Sequence, residues 1–117
     1  MHYGYIGQGN LGANCAACLL RAGLDVTVTD INKAAAATAI AEGAKWADSP
    51  AELAASVDHI ITCLPSPTVS QAVAAQMLPA MRTGAHWIEM STLGRDEVFA
   101  LKLLLVFFHK TPSLRFR

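Results

Sequence analysis

Apolar positions along the 117-residue chain come in two alternating kinds of block. Short runs of β-branched and aromatic residues read as strands, and longer stretches rich in Ala and Leu read as helices. Tyr3-Gly4-Tyr5-Ile6 opens the series as a strand. Gly12 to Ala22, rich in Ala, Leu and Cys, is a helix apolar enough to lie on a sheet, and Gly23 stands where a C′ glycine belongs. Leu24 to Asp30 is a second strand, β-branched at 26 to 29, so residues 3 to 30 form one βαβ unit of about 30 residues.

Lys33 to Glu42 is an alanine-rich helix ending at Gly43, and Ala44-Lys45-Trp46 is a short third strand. Ser49-Pro50-Ala51-Glu52 combines a capping box with proline at the first helical position and opens a brief helix. Val57 to Leu64 is a fourth strand, whose nearly continuous apolar run fits a parallel strand covered on both faces. Ser66 caps the next helix with Pro67 at its first position. That helix runs from about Thr68 through Gln76 towards Met81 and ends at Gly84. Ala85 to Met90 is the fifth strand. This alternation predicts an α/β domain, a doubly wound parallel sheet with helices on both faces.

The pattern breaks near residue 97. Glu97 to Phe108 begins like a helix and then becomes apolar all round, too short for the roughly 20 residues that span a bilayer. It reads as a buried helix, a sixth strand or the product of an interrupted gene, and His109 to Arg117 as a frayed basic end. The expected division is therefore a domain over 1–97 and a divergent tail over 98–117. An exposed apolar helix in the tail would drive self-association.

Composition narrows the function. At 53% hydrophobic and 15% charged, the chain is not disordered. A formal net charge of zero gives no basic field for nucleic acid, and no helix-turn-helix or zinc-finger spacing occurs. No charged leader with a long apolar run marks a signal peptide, and no membrane partner is expected. Three cysteines, an odd count, suit a reducing cytoplasm. Cys15 and Cys18 form C-x-x-C inside the first helix and read as small buried hydrophobes in place of a redox or metal pair; no metal site is assigned. His59 reads as a strand-edge side chain with nothing near in sequence to orient it as a base.

The candidate chemistry lies in Gly7-Gln8-Gly9-Asn10-Leu11-Gly12, a G-x-G-x-x-G between the first strand and first helix. Gly7 permits the tight turn, Gly9 lets a pyrophosphate approach the backbone, and Gly12 lets helix and strand pack closely. The first turn of that helix presents unpaired N–H groups and a positive dipole end to phosphate. The motif alone is weak, being also a plain tight turn. Asp30 strengthens it: about 20 residues downstream, at the end of the second strand, an acid accepts hydrogen bonds from the adenosine ribose. It would repel a 2′-phosphate, making NAD the expected cofactor and NADP the second candidate. Ile31 and Asn32 follow, and Lys33 one step on would soften that preference. The competing role for Asp30, capping the next helix, is one Asn32 fills equally well. Cys63, Leu64 and Pro65 leave the fourth strand at its carboxyl end, where ligands of open parallel sheets bind, and Ser91 and Thr92 follow the fifth strand towards the same crevice. An S-adenosylmethionine methyltransferase, which uses a similar loop, is disfavoured because Ile6 stands where such enzymes usually carry an acid.

These segments together resemble the amino-terminal domain of the β-hydroxyacid dehydrogenases, a family that includes 3-hydroxyisobutyrate dehydrogenase and the cofactor domain of 6-phosphogluconate dehydrogenase. The resemblance rests on 7–12, on Leu19 to Val28, on Asp58 to Pro65 and on Ile88-Glu89-Met90-Ser91-Thr92. It implies a Rossmann-type fold, truncated, without the family's helical second domain. It also implies that Gly7, Gly9, Asn10, Leu11 and Gly12 cradle pyrophosphate, Asp30 holds the ribose, and Leu64 and Pro65 line the nicotinamide side. Ser91 and Thr92 would contact substrate carboxylate and cofactor. With Gln8, Ile31, Asn32 and Cys63 these complete the cofactor-binding set. The implied reaction is hydride transfer between nicotinamide and a small hydroxy acid. Glu89 departs from the family's usual Asp, and Leu93-Gly94-Arg95 from its usual continuation. None of Lys33, Lys45, Lys102 and Lys110 has the context of the family's catalytic lysine, so no catalytic residue is assigned. The alternative is a dinucleotide-binding module or inactive fragment without catalysis of its own.

Overall fold

The computed structural model describes residues 2–90 and 113–116. Its strands are β1 (His2–Ile6), β2 (Asp25–Thr29), β3 (Lys45–Trp46), β4 (His59–Thr62), β5 (His86–Glu89) and β6 (Ser113–Phe116). All neighbouring strands are parallel, in the order β3-β2-β1-β4-β5-β6. The helices are α1 (Asn10–Arg21), α2 (Ala37–Ala41), α3 (Pro50–Ser56) and α4 (Pro67–Met77). The chain builds outward from β1 to β3, then crosses back to place β4 on the other side of β1. Strand order therefore reverses between β1 and β4, the place where doubly wound sheets open a crevice.

Each face of the sheet has its own core. On one face Tyr5, Val26, Val28 and Ile61 pack with Ala16, Ala36 and Ala39 from the α1 and α2 layer. On the other, Ile6, Ile60 and Trp87 pack with Leu53, Ala54, Val73, Ala74 and Met77 from α3 and α4. Adjacent residues Tyr5 and Ile6, and Ile60 and Ile61, point to opposite faces, as strand geometry requires. That is why these strands are apolar without alternation. Gly4 lacks a side chain where one would overlap Leu53, so α3 rests directly on β1.

The expected starts and stops are present. Ser49 Oγ accepts the Glu52 N–H at 3.1 Å, and Ser66 Oγ accepts the Val69 N–H at 3.3 Å. The returning arm of the capping box goes one residue further back, Glu52 Oε2 accepting the Asp48 N–H at 3.3 Å. Gly23 and Gly43 follow α1 and α2 at positive φ.

Several expectations are corrected. The helix expected over 33–42 is a 3₁₀ turn (Lys33–Ala36) leading into the five-residue α2. The helix expected to reach Gly84 leaves α geometry at Leu78, where Leu78–Ala80 forms a 3₁₀ turn around Pro79, which has no N–H to continue the ladder. The end read as frayed contains β6, whose ladder satisfies the outer edge of β5. Cys18 is exposed, not buried, because it lies on the outward side of α1. His59 sits in an interior strand: its ring stacks on Tyr3 and lies 4.9 Å from the His86 ring, partners that only strand order supplies. The apolar stretch 97–108, and the self-association read from it, lie outside the described residues. No helix among the described residues is long and apolar enough to cross a membrane.

Tyr5 is 1% exposed in the centre of β1. Its hydroxyl has no nitrogen or oxygen partner among the described residues and neighbours the Cys15 and Cys63 thiols. Burial, aided by the thiols, pushes its pKa well above the ordinary tyrosine value. The folded state thus keeps a proton that the unfolded state releases above about pH 10, so stability falls as pH rises through that region. Tyr5→Phe is expected to change stability by no more than about 1 kcal/mol at neutral pH, and to flatten this alkaline loss. Thermal melts of both proteins from about pH 7 to about pH 11 check this.

Candidate dinucleotide site

The loop joining β1 to α1 passes over the carboxyl ends of β1, β2 and β4. Gly7 adopts φ +100°, its N–H donates to the Thr29 carbonyl at 3.1 Å, and a Cβ there would overlap the Cys63 carbonyl. Only glycine fits both the conformation and the space. Gly12 is equally constrained: a Cβ would overlap the Gly7 carbonyl oxygen and stand 3.3 Å from the Tyr5 ring. Gly9 differs. It is the N-cap of α1, no side chain caps the helix, and a Cβ there would meet nothing within 4 Å. The opening amides of a 12-residue helix therefore front on open space.

Asp30 bridges this loop to the end of β2. One carboxylate oxygen accepts the Gln8 N–H at 2.6 Å and the other accepts the Asn32 N–H at 2.9 Å. Asn32 Oδ1 accepts the Ala34 N–H at 3.1 Å, so Asn32, not Asp30, caps the following 3₁₀ turn. Gln8 turns its side chain inward, where Nε2 donates to the Gly7 carbonyl at 3.1 Å.

A cavity of about 730 Å³ runs along the carboxyl ends of the strands. Of the residues singled out in the sequence, it brings together Gly7, Gly9, Gly12, Asp30, Ile31, Cys63, Leu64 and Pro65. Ile31 is 97% exposed at its rim. Gln8 and Asn32 do not line it; they hold the loops that do. Asn10 and Leu11 contribute their backbone to the first turn of α1. Ser91 and Thr92 lie outside the described residues, directly after Met90, whose N–H continues the ladder to Thr62 at 2.8 Å. Glu89, 1% exposed, is in register with Thr62 at the carboxyl end of β5.

Sequence reasoning missed two walls. Asp48, Ser49 and Pro50 enter from the loop after β3, and Thr68, Val69, Ala72, Val73 and Gln76 from one face of α4. The spacing of the α4 residues marks a helical stripe, but the stripe alone cannot show that it fronts a cavity. The lining holds no Lys, Arg or His among the described residues, and no group of three metal-ligating side chains occurs among them.

A parallel sheet with a strand-order reversal, a glycine turn and an open helix N-terminus over a cavity defines a Rossmann-type dinucleotide-binding domain. Residues 2–102 match the family described as the NAD binding domain of 6-phosphogluconate dehydrogenase, and the chain belongs to that family. It is similar to a mitochondrial 3-hydroxyisobutyrate dehydrogenase of Drosophila melanogaster, 35% identical over 100 residues that cover 85% of this chain and 31% of that enzyme. The structure resembles that of the Mycobacterium tuberculosis 3-hydroxyisobutyrate dehydrogenase with L-serine, at TM-score 0.87 and 28% identity, over 98% of this chain and 38% of that one. An imine reductase from Myxococcus stipitatus in complex with NADP+ shares the fold alone, at TM-score 0.86 and 16% identity, over 96% of this chain and 39% of that one. The chain thus spans less than a third of the length of the curated relatives it matches.

The three glycines make separable demands. Gly12→Ala is expected to lower stability by about 1–3 kcal/mol through overlap with the Gly7 carbonyl. Gly9→Ala is expected to stay within about 1 kcal/mol of the parent while losing at least about tenfold in NADH affinity. Chemical denaturation and fluorescence titration of the two variants test the contrast.

Proposed function

We propose that this chain is the cofactor-holding part of an NAD-dependent oxidoreductase acting on a small hydroxy acid. The observation that carries the reading is the open α1 N-terminus at Gly9, on a cavity that Asp30 also lines. A pyrophosphate needs amides and an unobstructed backbone, and Gly9 provides both. Asp30, already aimed by Gln8 and Asn32, has carboxylate oxygens suited to accept from ribose hydroxyls. Ile31 at the rim and the apolar face of α4 offer surfaces for the adenine, and Leu64 and Pro65 border the nicotinamide side. The bound nucleotide supplies the hydride-transferring ring; this chain binds and orients it and keeps water from one side. Ser91 and Thr92, just past β5, are assigned to substrate and cofactor contact. NAD is favoured over NADP, and three cysteines that no disulfide joins among the described residues suit the cytoplasm.

A second reading, a binding module without chemistry of its own, is favoured by one feature. Asp30 and Asp48 are the carboxylates of the lining and both belong to the adenosine end; beside Leu64 and Pro65 the lining holds no carboxylate, His or Lys among the described residues. Turnover would then require residues supplied from a helical second domain.

Titration with NADH should show saturable binding by nicotinamide fluorescence, with no turnover of 3-hydroxy acids by this polypeptide alone. Asp30→Ala should weaken NADH by about ten- to a hundredfold, through loss of charged hydrogen bonds. A chain that folds and binds neither nicotinamide nucleotide would refute the assignment, and steady-state turnover would refute the second reading.

A further inference from the structure

We propose that Asp48 is a second discriminating acid at the adenosine end, acting with Asp30 to exclude a 2′-phosphorylated nucleotide. The proposal rests on the dinucleotide reading of the cavity given above. Val28 is in register with Trp46, and the Ala47 N–H donates to the Val28 carbonyl at 3.0 Å, extending the ladder one step past β3. Asp48 therefore leaves β3 beside Asp30 as it leaves β2, on neighbouring strands about 4.8 Å apart. Both carboxylates line the same cavity.

Asp48 is held in place. Trp46 Nε1 donates to its Oδ1 at 2.8 Å, and its own N–H donates to Glu52. The nearby cation is turned to another use: Lys33 Nζ lies 5.5 Å from the centre of the Trp46 ring, and no ion pair joins it to Asp30 or Asp48 among the described residues. Within residues 2–90 the other Lys and Arg side chains are committed elsewhere, Arg21 to Glu42, Lys45 to Asp25 and Arg82 to Asp58. A 2′-phosphate, carrying about −1.5 to −2 charges, would meet two acids and no counter-charge in the lining among the described residues. A free ribose would meet two acceptors. Discrimination of this kind works by repulsion of the wrong ligand.

The test is fluorescence titration of the full chain with NADH and with NADPH, at low and high salt, for the parent and Asp48→Asn. The substitution removes charge and keeps an oxygen to accept from Trp46. The expected result is an NADPH affinity raised by about tenfold with NADH changed less than about threefold. The parent's preference for NADH should narrow at high salt, and the variant's should narrow less. Asp48→Ser carries the same expectation should Asp48→Asn melt early. NADH binding with an unchanged NADPH-to-NADH ratio in the variants would overturn the role of Asp48 and leave the site standing. A parent that binds neither nucleotide would overturn both.

Discussion

The close approach of α1 to β1 is the constraint on which the rest depends. Gly7 and Gly12 are in contact through a backbone carbonyl, with the Tyr5 ring directly beneath. No side chain fits at either glycine, so the helix starts almost on the strand end. This seats the α1 N-terminus over the reversal of strand order, where its amides have no side-chain cap. A single added methyl at Gly12 would meet the Gly7 carbonyl and the Tyr5 ring together. The sheet interior and the phosphate end of the cavity are thus consequences of one contact.

The two ends of the sheet are treated differently. At the amino ends, charges are matched: Asp25 pairs with His2 and Lys45, and Asp58 with Arg82. Asp58 also accepts the His2 N–H, and that bond, with Arg82, holds its carboxyl below the usual range. Such exposed pairs add little stability. At the carboxyl ends Asp30 and Asp48 face the cavity with backbone N–H or indole partners and no cation among the described residues. Asp30 stands beside the uncapped helix terminus, bonded to the Gln8 N–H just before the N-cap Gly9, so a helix N-terminus and an acid border the same groove. A dinucleotide has matching parts, a diphosphate and a hydroxylated sugar.

Asp30 shows how loop order and recognition are coupled. It pins Gln8, the residue between the first two glycines, so the same carboxylate that would receive a ribose also shapes the phosphate turn. Gln8 and Asn32 then serve as supports behind the lining, Gln8 buried and Asn32 capping the next turn. Under the proposed reading the bound nucleotide supplies the hydride chemistry, and this chain's part is to hold it.

By itself the sequence determined the strand and helix order, the two-sided burial, the capped starts at Ser49 and Ser66, the glycine turn and the acid at the end of β2. These are local: each depends on the steric or hydrogen-bonding character of a few consecutive residues. Tertiary structure decided the rest. Strand order put His59 between two rings, set Asp48 beside Asp30 and added β6 to the edge, although Asp48 lies 18 residues from Asp30 and β6 starts 24 residues after β5. It also decided which stripe of α4 fronts the cavity and left Cys18 exposed on the outside of α1. Periodicity reports that a face exists, whereas what that face meets depends on packing between segments far apart in the chain.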